Sequence, residues 1–191
     1  IEPWVAGVDA QLITFGLNIG DVHCTKSHLV AHGERVIAIS DMPLARPHNQ
    51  LNACAATALA LTMDTSPHLI AEVLSGFEGL EHRMEPVAEV GGIRFFNDSK
   101  ATTPHATIAA LNGFDKAVLI VGGRNKGLDL SDLIEIAPAL VGIVAIGESS
   151  SLLVELFDGV VPSVSADSMR DAIRAATQLA SASFADVVLS P

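Results

Sequence analysis

Short apolar runs at residues 117–121, 142–146 and 187–189 narrow the possible folds of this chain more than any other feature. A strand built from such a run has no polar face to turn to water, so it must be covered on both sides. The intervening segments are long enough for helices, and apolar strands alternating with helices give a mostly parallel, helix-covered sheet of the α/β class. The pattern predicts helices over residues 104–111, 131–140 (interrupted at Pro138), 150–157 and 168–180, with strands over 117–121, 142–146 and 186–189. Thr103 and Pro104 read as the cap and first turn of the first of these helices. Just upstream, residues 86–90 and 93–96 flank Gly91-Gly92, the dipeptide expected in a two-residue hairpin turn.

The first part of the chain reads differently. Residues 11–15, 26–31 and 35–39 are β-compatible, with turn signals between them, and predict a small antiparallel meander. An Ala/Leu-rich helix over 48–63, entered through Pro47, and a second over 67–74 follow, and Gly76 and Gly79 mark a boundary.

Function classes are limited by charge. The net charge of -11 excludes a general nucleic-acid-binding surface, which needs a dense basic stripe. Six of the 11 basic residues nevertheless fall between Arg83 and Lys126, so an anionic small molecule is expected there. No apolar run reaches the length of a membrane span, and two cysteines form no disulfide framework, which points to a reducing, cytoplasmic setting. His23, Cys24, His28 and His32 match no standard zinc spacing, and no metal ligand is assigned. The chain starts at Ile1 without methionine and stops just after an apolar run, so a fragment of a longer protein is expected.

Ligands of such sheets bind beyond the carboxyl ends of the strands, and here those ends read Asn97-Asp98-Ser99-Lys100, Gly122-Gly123-Arg124-Asn125-Lys126, Gly147-Glu148-Ser149 and Ser190-Pro191. In the first, Phe95-Phe96 gives way abruptly to a carboxylate, hydroxyls and an ammonium, then to a helix start whose N–H groups favour anions. Lys100 and Thr102 suit a carboxylate or phosphate, and Asp98 suits a sugar hydroxyl; the competing reading is a local turn with Thr103 as a cap. The glycines at 122 and 123 allow close ligand approach and Lys126 adds a point charge, the alternative being a solvated turn. Asn49 and Asn52 share one helix face and could read a base edge, though an early-helix asparagine is more often a cap. Arg83 beyond the boundary could reach a phosphate or form a surface ion pair. Neither G-x-x-x-x-G-K-[ST] nor G-x-G-x-x-G occurs, so neither a complete nucleotide-hydrolysing domain nor a standard dinucleotide fold is supported.

Pro47-His48-Asn49-Gln50-Leu51-Asn52-Ala53, Gly79-Leu80-Glu81-His82-Arg83, Phe96-Asn97-Asp98-Ser99-Lys100-Ala101-Thr102 and Leu119-Ile120-Val121-Gly122-Gly123-Arg124-Asn125-Lys126-Gly127 together resemble the Mur ligases, and the third block resembles their D-glutamate-adding branch. The resemblance implies that residues 1–77 end a central ATP-binding domain and that 78–191 form most of a Rossmann-like C-terminal domain. It implies that Asn49 and Asn52 contact the adenine side of ATP, Arg83 its phosphates or ribose, Asp98 the ribose, and Lys100 the phosphates. Thr102 and Lys126 would hold the side-chain carboxylate of D-glutamate. The implied reaction joins D-glutamate to UDP-N-acetylmuramoyl-L-alanine through an acyl phosphate, with ATP and Mg²⁺. The Mg²⁺ ligands, the phosphate-binding loop and a closing serine-containing segment would lie outside the chain, which alone would not turn over ATP. Thr103 departs from the asparagine frequent at that position. Another Mur-type or folylpolyglutamate-type ligase, or a non-catalytic nucleotide-binding module, stays open as an alternative.

Overall fold

The computed structural model describes residues 12–43, 46–125 and 127–191. The chain divides into two compact units, Ile1–Glu78 and Gly79–Pro191.

In the first unit, β1 (Phe15–Leu17), β2 (Val22–Cys24), β3 (His28–Ala31) and β4 (Glu34–Ala38) form one sheet in that order, followed by α1 (Pro47–Thr62) and α2 (Pro67–Gly76). Val22, Cys24, Leu29, Ala31 and Ile37 alternate onto the buried face and pack with Ala53, Cys54 and Ala58 of α1. The small α1 residues let the helix approach the sheet closely. The expected antiparallel meander needs correction at its start. The strand comes later than residues 11–15 would place it, β2 was not foreseen, and β1 runs parallel to β2. The physical reason is a loop with left-handed residues at Asn18 and Gly20, clasped where the Asp21 carboxylate accepts from the Thr14 N–H (2.8 Å) and hydroxyl (2.7 Å). That clasp turns the chain back into its original direction, whereas β2, β3 and β4 do pair antiparallel.

The second unit is built on six strands, β5 (Glu85–Val90), β6 (Ile93–Asn97), β7 (Ala117–Gly122), β8 (Leu140–Ile146), β9 (Ser163–Ala166) and β10 (Asp186–Leu189), in spatial order β5-β6-β10-β7-β8-β9. Only the β5–β6 hairpin is antiparallel, and its turn glycines, Gly91 and Gly92, both take positive φ as the two-residue turn requires. The mostly parallel, helix-covered sheet is the α/β architecture expected from the apolar runs. Alternate residues of β7 serve opposite faces. Leu119 and Val121 pack with Leu111 of α3 (Pro104–Leu111), Leu133 and Ile136 of a 3-10 segment, and Leu153 of α4 (Ser150–Leu156). Val118 and Ile120 pack on the other face against Ala172, Ala176 and Ala180 of α5 (Met169–Ser181), a stripe with four-residue spacing.

Two details differ from expectation. Ser131–Ala139 is a 3-10 helix rather than an α-helix, because Pro138 sits inside it and has no N–H to give to an α-helical ladder. The edge strand β9 escapes the sequence pattern because Ser163–Ala166 has almost no apolar run and is largely exposed.

Candidate functional site

Parallel register brings the polar strand ends side by side: Leu189 pairs with Asn97 on one side and Ile120 on the other, and Gly122 pairs with Ile146. The loop leaving β6 is braced from both sides. The Asp98 N–H donates to the Leu189 carbonyl (2.8 Å), and the buried Asp98 carboxylate accepts from the Met84 N–H (3.1 Å). The Lys100 N–H donates to the His82 carbonyl (3.1 Å), and the Asn97 amide meets His82 Nδ1 at 2.8 Å. His82 and Met84 both hold positive φ, uncommon for residues other than glycine, and these bonds hold the bend that presents Arg83 between them. The Arg83 charge acts on Asp98. Burial pushes the Asp98 carboxyl above the usual aspartate range, while the Met84 N–H and the Arg83 charge work in the opposite direction.

The competing local reading is also present in the geometry. The Ala101 N–H closes a turn on the Asp98 carbonyl (2.9 Å), and Thr103 caps α3 by accepting from the Ala106 N–H (3.3 Å). The Asp98 side chain is not spent on that turn. Arg83 and Lys100 are exposed and form no ion pair among the described residues.

Beside this loop lies an open-mouthed pocket of about 450 Å³, counting its mouth, floored by the start of α3 and lined by Thr102, Thr103, Thr107, Gly122, Arg124 and Ser190 among others. Its far wall is welded to the end of β8, where Ser149 donates from N–H (3.1 Å) and hydroxyl (3.0 Å) to the Gly123 carbonyl. A Cβ on Gly122 would run into the Ile146 carbonyl, so only glycine permits this approach. At the mouth, exposed Arg124 pairs with Glu148 at 3.1 Å, and Asn125 bonds Leu128 both ways (2.8 and 3.1 Å).

Residues 82–190 match the family model described as Mur ligase, glutamate ligase domain. The chain belongs to the Mur ligase family. This Mur ligase chain is 39% identical over 202 residues to the UDP-N-acetylmuramoylalanine--D-glutamate ligase of Methylococcus capsulatus, covering 100% of the chain and 44% of that protein. It is 38% identical over 194 residues to the ligase of the same name from Streptococcus pneumoniae, covering 99% and 43%. The chain thus spans less than half the length of these curated relatives. Its fold matches the MurF crystal structure from Acinetobacter baumannii with a TM-score of 0.73 at 22% identity (94% and 43% covered). The match to the folylpolyglutamate synthase of Thermotoga maritima has a TM-score of 0.57 at 19% identity (88% and 43% covered).

Within this Mur ligase chain, Arg83, Asp98, Lys100 and Thr102 come together in the second unit. Lys126 lies outside the described residues. Asn49 and Asn52 lie in the first unit, near the start of α1, half-buried and exposed respectively. Neither is the cap, since Arg46 holds that position and makes no side-chain cap bond. Among the described residues no group of three or more His, Cys, Asp or Glu is placed to hold a metal ion. Nor is any helix among them long and apolar enough to cross a membrane. Sequence reasoning put Ser190 at the ligand-binding edge without a partner and missed Thr107; their buried hydroxyls meet at 2.9 Å. The available signal was a threonine on the same helical stripe as the buried Ala110 and Leu111.

Proposed function

We propose that this chain is part of an ATP-dependent amide ligase that adds D-glutamate to UDP-N-acetylmuramoyl-L-alanine in the cytoplasm. In this reading the first unit ends a central ATP-binding domain and the second is the C-terminal, amino-acid-binding domain. The single observation that carries it is the loop from Asn97 to Thr102, which joins a buried, braced carboxylate to the floor of a pocket at a helix start. Asp98, with raised affinity for protons yet held by donors, accepts from a ribose hydroxyl when ionised. Arg83 and Lys100, both exposed and unpaired among the described residues, stand near it for the phosphates. Asn49 and Asn52 contact the adenine side, and Thr102 with Lys126 holds the side-chain carboxylate of D-glutamate. The α3 N-terminus favours that carboxylate electrostatically.

The reaction balances in two steps. A carboxylate oxygen of the UDP-linked substrate attacks the γ-phosphorus of ATP and ADP leaves. The neutral amine of D-glutamate then attacks the acyl carbon, phosphate departs, the amine loses a proton and an amide forms. This chain's residues contribute positioning and charge complementarity. Mg²⁺ would offset phosphate charge when bound.

The full-length gene product tests the reading. Incubated with ATP, Mg²⁺ and UDP-N-acetylmuramoyl-L-alanine, it is expected to release ADP with D-glutamate and not with L-alanine or meso-diaminopimelate. Preference for either of the latter would move the chain to another branch of the family.

A further inference from the structure

The two cysteines are too few for a disulfide framework, yet the fold makes them neighbours. Cys24 ends β2, Cys54 lies midway along α1, and their sulfurs meet at 3.5 Å. Both thiols are free and both are buried, Cys54 completely. Each also has a backbone carbonyl within reach of its hydrogen, Gln50 of α1 for Cys24 (3.8 Å) and Gly16 of β1 for Cys54 (3.6 Å). The pair thus joins β1, β2 and the first half of α1, and the function proposed above makes no use of it.

A disulfide holds its sulfurs about 2.0 Å apart, so closing this pair asks the side chains and α1 to give by about 1.5 Å and removes both hydrogens that reach the carbonyls. The helix can yield at its start, where Arg46 makes no side-chain cap bond. That start carries Asn49 and, two residues before Cys54, Asn52. Burial protects the thiols from bulky reagents. A peroxide is little larger than water, and it is the oxidant class such a pair can admit. One sulfur attacks a peroxide oxygen, giving a sulfenic acid and water; the second displaces the hydroxyl, giving the disulfide and a second water. Two sulfurs lose two electrons, the peroxide gains them, and both thiol hydrogens leave in water.

We infer that Cys24 and Cys54 form a redox-modification site, which a peroxide closes into a disulfide that shifts the start of α1 and weakens the hold on ATP. The effect on ATP rests on the proposed adenine contacts of Asn49 and Asn52, whereas the closure itself does not.

The test treats the reduced, folded full-length gene product with excess hydrogen peroxide, then blocks remaining thiols and digests with trypsin without reductant. Cleavage after Lys26 and Arg35 separates the two cysteines, so a linked peptide pair in the mass spectrum reports the bond. The linked pair is expected, together with a rise in KM for ATP of roughly 5- to 10-fold, as for loss of one hydrogen bond, reversed by dithiothreitol. Cys24→Ala and Cys54→Ala should each abolish the reversible rise; the mapping of the parent protein needs neither variant to fold. Absence of the linked pair, or its appearance only after denaturation, overturns the inference. A linked pair that leaves KM for ATP unchanged overturns the switch, and Asn52→Ala in the reduced protein then locates the fault. If Asn52→Ala raises KM for ATP, the adenine reading stands and the coupling to α1 is wrong; if it does not, the adenine reading falls and the effect on ATP with it.

Discussion

The loops leaving β6 and β7 lie one strand apart at the same edge of one sheet, and they are held in opposite ways. The β6 loop is tied by polar bonds through a buried carboxylate, with Asp98 gripping Met84 and His82 gripping Lys100. The β7 loop is held by the absence of side chains: Gly122 lies against the Ile146 carbonyl, Gly123 accepts from Ser149, and the charged groups stay in solvent. Titration and charge therefore govern the first loop, and backbone volume governs the second.

The largest effect expected from this contrast is on the glycine side. Gly122→Ala adds a clashing Cβ at a φ of +143°, and should destabilise the fold by about 3 kcal/mol, read as a lowered denaturant midpoint. If Gly122→Ala melts like the parent protein, close backbone approach is not what holds that loop. Next comes Asp98→Asn, which removes a charged acceptor and should lower kcat/KM for ATP about 10- to 100-fold in the full-length enzyme.

A pH series sharpens the comparison further. Asp98 has its folded pKa raised, chiefly by burial, so the stability it contributes is fullest below the ordinary aspartate value and is lost as pH rises through the raised one. Under the proposed role of Asp98, ATP affinity is expected to run the other way over that window, strengthening as the carboxylate ionises. Asp98→Asn should flatten both trends, whereas Gly122→Ala should shift stability equally at every pH. The smallest effect belongs to the exposed Arg124–Glu148 pair, where Glu148→Ala should change stability by no more than about 0.5 kcal/mol, and less at high salt.

The β7 side was far more legible in the sequence than the β6 side. Five apolar residues ending in Gly122-Gly123 announce both a buried strand and a close backbone approach, and Gly91-Gly92 announces a hairpin, because both signals are local. Thr103 as a cap and Pro104 as a first turn were equally local. Asp98 was recognisable as a candidate ligand, but its placement depends on Met84, fourteen residues back, and on Leu189 near the other end of the chain. No spacing rule reports such contacts. The same limit hid the Thr107–Ser190 pair, 83 residues apart, and the parallel turn of β1, which depends on Asp21 reaching Thr14. β9 was missed for the opposite reason, as a short polar edge strand leaves little imprint in composition.

The central claim is that the loop from Asn97 to Thr102 stands between nucleotide and amino acid, with Asp98 on one side and Thr102 on the other. The most direct test measures KM for ATP and for D-glutamate in Asp98→Asn and Thr102→Val variants of the full-length enzyme. A crossed pattern is expected, in which Asp98→Asn raises chiefly KM for ATP and Thr102→Val raises chiefly KM for D-glutamate. Movement of the same constant by both variants, or of neither, would contradict the account.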